Sequence, residues 1–124
     1  MLSCCAAVVS TVILSTLNVE ISTASPADAG LALVQRMALA DAGRRSGAPP
    51  DAIQVVSAAR VVWRDGSLGC PQPDMAYTQA LVPGYRVVLM ARGQRLDYHA
   101  GLRGEPQLCA AGQAQDPLPN DSRI

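Results

Sequence analysis

The rhythm of apolar and polar positions changes along the chain, and each rhythm predicts a different element. Leu2 to Leu17 is a run of apolar and small residues, broken only by Ser and Thr and without a period. The spacing then turns helical. Leu31, Val34, Met37 and Ala38, with Leu33 beside them, share one broad face, and Gln35 and Arg36 lie off it. Ser25-Pro26-Ala27-Asp28 supplies the start: a capping hydroxyl, a proline whose missing N–H costs nothing in the first turn, and an acid at the positive helix end. The helix is expected to reach about Arg45. Arg44 and Arg45 suit its negative end, and Gly47 can take the left-handed conformation just beyond. Pro49-Pro50 then forces an extended connection.

From Ile53 the period falls to two. Ile53 to Trp63 reads as a strand with Ile53, Val55, Ala59, Val61 and Trp63 on one face and Arg60 and Arg64 on the other. Asp65-Gly66 ends it as a turn. Ser67 to Pro83 has no period and contains Pro71, Pro73 and Pro83, which predicts a long ordered loop. Tyr85 to Met90 is a second strand, joined through Arg92-Gly93 to a third at Arg95 to His99, a β-hairpin. A turn over Gly101 to Gly104 leads to a short last strand, Pro106 to Ala110, whose proline suits a sheet edge. After Gly112 the chain is polar and aperiodic, so 113–124 is expected to be a disordered tail. The sum is an α+β fold over residues 26–112: one N-terminal helix packed on an antiparallel sheet of about four strands.

Residues 1–25 have the outline of a secretory signal peptide, with small residues at Ser22-Thr23-Ala24 for cleavage and no Lys or Arg before the apolar run. A membrane anchor fits less well, because the run is short and broken by Thr11, Ser15 and Thr16. Removing this segment leaves two cysteines, Cys70 and Cys109, and an even pair in a small exported domain points to a disulfide that tethers the long loop. Closing a loop of about 40 residues stabilises by roughly 3–4 kcal/mol in the chain-entropy account. In a domain this small that is a large share of the total. The formal charge is zero, which excludes a basic stripe for nucleic acid. All ten basic residues are arginine, and with no phenylalanine the core bulk must come from aliphatic residues, Trp63, Tyr77, Tyr85 and Tyr98.

The run W-R-D-G-S-L-G-C-P-Q-P at Trp63 to Pro73 is followed by Tyr77, Gln79, Pro83-Gly84-Tyr85, Tyr98-His99 and Leu108-Cys109. In this the chain resembles a family of small exported bacterial proteins of unassigned function. It departs at Asp74, where that pattern has glycine, and at Ala100, where it has threonine. The resemblance implies export and the Cys70–Cys109 disulfide, and no catalytic role.

Several residues are candidates for chemistry. Cys70 and His99 could pair as nucleophile and base, with Asp65 or Asp97 orienting the ring, but a disulfide would consume the thiolate. His99, Met75 and Met90 could hold a soft metal such as copper, though no two have a recognised ligand spacing. The plainer reading is that His99 hydrogen-bonds a loop carbonyl and Asp65 shapes the turn after it. Ser67 does not stand in the nucleophile-elbow context of flanking glycines between a strand and a helix, so a serine hydrolase is not expected. No catalytic residue, metal or cofactor is therefore assigned. The expectation is a non-catalytic binding module presenting loop 67–83 to an unknown protein or envelope component. Asp65, Ser67, Met75, Tyr77, Gln79 and His99 are its candidate residues. Alternatives are a protease inhibitor using that loop, or an enzyme or metal-binding protein with its site at His99.

Overall fold

The structure, a computed structural model, describes residues 26–119; the expected signal peptide and the last five residues of the tail lie outside them. Helix α1 spans Pro26–Ser46 and a 3₁₀ turn spans Pro50–Ala52. Four strands follow: β1 at Ile53–Trp63, β2 at Val82–Ala91, β3 at Gln94–Gly101 and β4 at Gln107–Leu108. They form one antiparallel sheet in the order β1-β2-β3-β4, and α1 lies across one face. The α+β expectation holds.

The helix docks through a stripe four residues apart. Val34, Ala38 and Ala42 are buried, and Gly30 lies so close to the Tyr85 hydroxyl that it has no room for a Cβ. Small side chains let the helix axis approach the sheet, and Val34, Ala38 and Ala42 join Ile53, Tyr85, Val87, Leu89, Ala91, Tyr98 and Ala100 in one core. Leu33, expected on that face, is half exposed on the helix flank. Tyr98, itself fully buried, donates from its hydroxyl to Asp41 Oδ2 at 2.8 Å, and Arg45 Nε donates to the same oxygen. Burial and the neighbouring Asp41 carboxylate push the Tyr98 phenol well above its ordinary range.

The β2–β3 connection is two residues, Arg92 and Gly93, both left-handed with φ of 50° and 76°. That twist matches the strands on either side. From this turn the Arg92 guanidinium reaches back to the carbonyls of Ser46 and Gly47 at 2.7 and 3.1 Å. It thereby satisfies acceptors that the end of α1 leaves open. Gly47 is left-handed, with φ 69°, as its place beyond the helix predicts.

One register feature overturns the sequence reading of β1. Val55 pairs with Leu89 while Ser57 pairs with Val88, so Val56 is an extra, bulged residue. A one-residue insertion flips every later side chain to the opposite face. Ile53 and Val55 therefore lie on the helix face with Ala91 and Leu89, whereas Ala59, Val61 and Trp63 lie on the far face with Arg86 and Gly84. The tail expectation also fails in part. Gln115 N–H donates to Gly69 O at 2.8 Å and Leu118 N–H donates to Val62 O at 2.9 Å, so residues 113–119 return across the loop to β1.

Candidate functional site

The far face of the sheet carries the polar chemistry. In β3, Asp97 and His99 are two residues apart and so point to the same side, beside Arg86 on β2. The bulge in β1 brings Trp63 to that side too. Its indole stacks on the His99 ring with centroids 4.2 Å apart and donates from Nε1 to Ala100 O at 3.1 Å. Both rings are completely buried.

His99 is held at both nitrogens. Nε2 lies 2.9 Å from Asp97 Oδ1, and Nδ1 lies 2.5 Å from Leu68 O. A carbonyl only accepts, so Nδ1 donates; an ionised carboxylate also only accepts, so both bonds form together when both nitrogens carry protons. Asp97 is in turn gripped by Arg86 through two bonds of 3.0 and 2.7 Å, and Arg86 extends to Asp116 at 2.9 Å. Burial alone would raise the Asp97 pKa. Hydrogen bonds and charges from His99 and Arg86 outweigh that and hold the carboxyl far below its ordinary range. The fork of Arg86 on Asp97 is the geometry in which a partly buried pair gains most. Asp116 belongs to the returning tail, a contact that polar composition alone did not signal.

The loop after β1 is fastened at its base. Asp65 Oδ1 accepts from the backbone and hydroxyl of Ser67, and these bonds lower the Asp65 pKa. Gly66 N–H donates instead to Thr78 O at 2.9 Å, which closes the loop on itself. Leu68 and Gly69 are both left-handed, with φ of 56° and 71°. A Cβ at Gly69 would sit 2.7 Å from both Gln115 O and the Trp63 ring, so only glycine fits. Cys70 follows and is bonded to Cys109 with 5.4 Å between their Cα atoms. Beyond this base the chain from Gln72 to Leu81 stays largely exposed, with Met75 and Leu81 59% and 63% accessible. Tyr77 folds back, its hydroxyl accepting from Gln72 N–H at 2.9 Å.

Residues 35–109 match the family model described as a domain of unknown function, DUF8738. The chain belongs to the DUF8738 family. No curated protein and no solved structure matches it.

The DUF8738 match opens inside α1 and closes on Cys109, so it takes in the whole sheet, the fastened loop and both bonded cysteines. Within it, the sequence candidates separate into two groups. Asp65, Ser67 and His99 are brought together as anchors of the loop base, and Ser67 is buried. Met75, Tyr77 and Gln79 lie on the outer part, where Gln79 makes only a 3.4 Å bond to Tyr77 O. Of the two aspartates offered as partners of His99, Asp97 is the one in place. The Cys70–His99 nucleophile pair is replaced by the disulfide. The Met75–Met90–His99 metal set is not assembled either. Met90 pairs with Arg95, four positions along β3 from His99, roughly 13 Å at the rise of a strand. The Arg86–Asp97 fork was missed altogether. Its signal was available as Arg86 opposite His99 across a hairpin whose two-residue turn fixes the register.

Proposed function

We propose that this DUF8738 domain is a non-catalytic binding module, working outside the cytoplasm, that presents loop 67–83 to a protein or envelope component. The carrying observation is the contrast between a fastened base and an exposed tip. The base is held by the Cys70–Cys109 bond, the Gly66–Thr78 bond, the Asp65–Ser67 turn and the His99 contact to Leu68, while Met75 and Leu81 stand in solvent. A loop ordered before association loses little further entropy on binding. The disulfide supports an oxidising location, and no helix among the described residues is long and apolar enough to cross a membrane. The non-catalytic reading rests on commitment of Cys70 to a bond and of both His99 nitrogens to fixed acceptors.

The test is capture of partners from envelope and culture fluid with the wild-type domain, Met75→Asp/Leu81→Asp and Leu102→Asp. Leu102 is likewise exposed but lies in the turn after β3. Loss of a captured protein with the loop variant and retention with Leu102→Asp supports the reading; equal capture by all three overturns it. A narrower version is protease inhibition, favoured by the absence of turn or helix over residues 75–79 between the two fastened flanks. Proteases left fully active by micromolar domain would exclude that version.

A further inference from the structure

The two bonded sulfurs do not stand alone. Cys70 Sγ, Cys109 Sγ and a ring nitrogen of His99 all lie within 4.8 Å of one another. The nitrogen is Nδ1, because it faces the loop beside Cys70: a Cβ on Gly69 would sit 3.0 Å from it. The opposite nitrogen, Nε2, is fixed on Asp97, and Asp97 is fixed by the Arg86 fork. A carboxylate behind an imidazole is the arrangement that sets the tautomer and orientation of a metal-binding histidine. Two thiolates and an imidazole are a donor set for thiophilic cations. A cleft of about 120 Å³ beside this cluster is lined by Cys70, Pro71, Gln72, Leu108, Cys109 and Gln113.

We propose that the dithiol form of this domain is a metal site, in which Cys70, Cys109 and His99 Nδ1 hold one thiophilic cation of the Zn²⁺ class with an open fourth position. Oxidised, the domain has no such site. The interconversion balances through a dithiol reductant. Two electrons and two protons convert the Cys70–Cys109 bond to two thiols while the reductant closes to its own disulfide. Binding of the cation then releases both thiol protons to solvent, together with any proton on Nδ1, which exchanges Leu68 O for the metal. Nε2 keeps its proton on Asp97. This goes beyond the loop-presentation reading, which concerns the oxidised form and stands or falls separately.

The experiment reduces the purified protein with a dithiol, removes the reductant without air, confirms the fold by circular dichroism and titrates with Co²⁺. Expected is a thiolate-to-cobalt charge-transfer band saturating at one Co²⁺ per chain and removed by one equivalent of Zn²⁺. Emission of Trp63, the only tryptophan and stacked on the ligand ring, should change at the same equivalence point. Asp97→Asn should weaken binding by about 10- to 100-fold. The oxidised protein, and Cys70→Ser/Cys109→Ser, should show no band. A reduced protein that gives no band, or that has lost its fold, overturns the proposal. So does a band unchanged in His99→Gln, since thiols alone would then account for it.

Discussion

Gly84 sits where three strands meet, and adding one methyl there is the sharpest test of the packing on the far face. It pairs with Val61 of β1 and with Gly101 of β3. A Cβ at Gly84 would overlap Ala100 O and come within 3.0 Å of Trp63 Nε1, the two atoms joined by the 3.1 Å indole hydrogen bond. The obstruction is a backbone carbonyl, which has no rotamer to escape into. Either β3 moves off β2 or the indole leaves its acceptor, and Trp63 is fully buried, so no water replaces the bond. Leaving a buried donor unpaired costs about 1–3 kcal/mol. Overpacking adds about 1–3 kcal/mol, and the stiffer unfolded chain returns at most about 1 kcal/mol. Gly84→Ala should therefore lose about 1–6 kcal/mol, a fall in Tm of at least about 4 °C for a domain this size. Guanidinium denaturation followed by Trp63 emission and by circular dichroism measures it. Gly101→Ala, on the paired position with open space around it, is the control and should stay within about 0.5 kcal/mol. A Gly84→Ala loss below about 1 kcal/mol, or equal losses in the two variants, would refute the argument.

Two further predictions concern the polar face and the loop. Because the folded Asp97 carboxyl is held below its ordinary value, its contribution is fully present above the unfolded pKa of about 3.9 and disappears as pH falls toward the folded value. Tm measured from pH 6 to pH 2 should decline below about pH 4 in the wild type and less steeply in Asp97→Asn; parallel curves would contradict this. Asp74 is left-handed, with φ 64°, so Asp74→Gly should be neutral or stabilise by up to about 1 kcal/mol, and a clear loss in midpoint denaturant would contradict the conformational account.

That last residue shows how much of the fold local chemistry announces. Asp74 holds a positive φ, a conformation that glycine adopts without strain and that aspartate tolerates better than most residues. The start of α1 at Pro26, the left-handed Gly47 beyond its end, the ends of β1 and the Arg92-Gly93 turn could likewise be read directly, since each depends on neighbours in the chain. Facing was not legible in β1. Val55 and Val56 are both apolar, so the alternation passes through the bulge without a visible break and puts Trp63 on one face with Ile53 and Val55. The candidate site suffered in turn, because its centre is the stack of Trp63 on His99, which only the bulge makes possible. The returning tail was hidden for a different reason. Gln115 and Leu118 bond through backbone groups, which carry no residue signature, and Asp116 looks like any solvated acid until Arg86 is beside it.

The sheet order has a consequence for how the molecule assembles. Strands adjacent in space are adjacent in the chain, but their connections differ greatly in length: two residues join β2 to β3, whereas β1 must close on β2 across residues 64–81. Loop-closure entropy makes that second step dearer by on the order of 2 kcal/mol. The hairpin is thus the natural nucleus, and β1 arrives on it late. The indole and the imidazole, on strands at opposite sides of β2, meet only at that final docking.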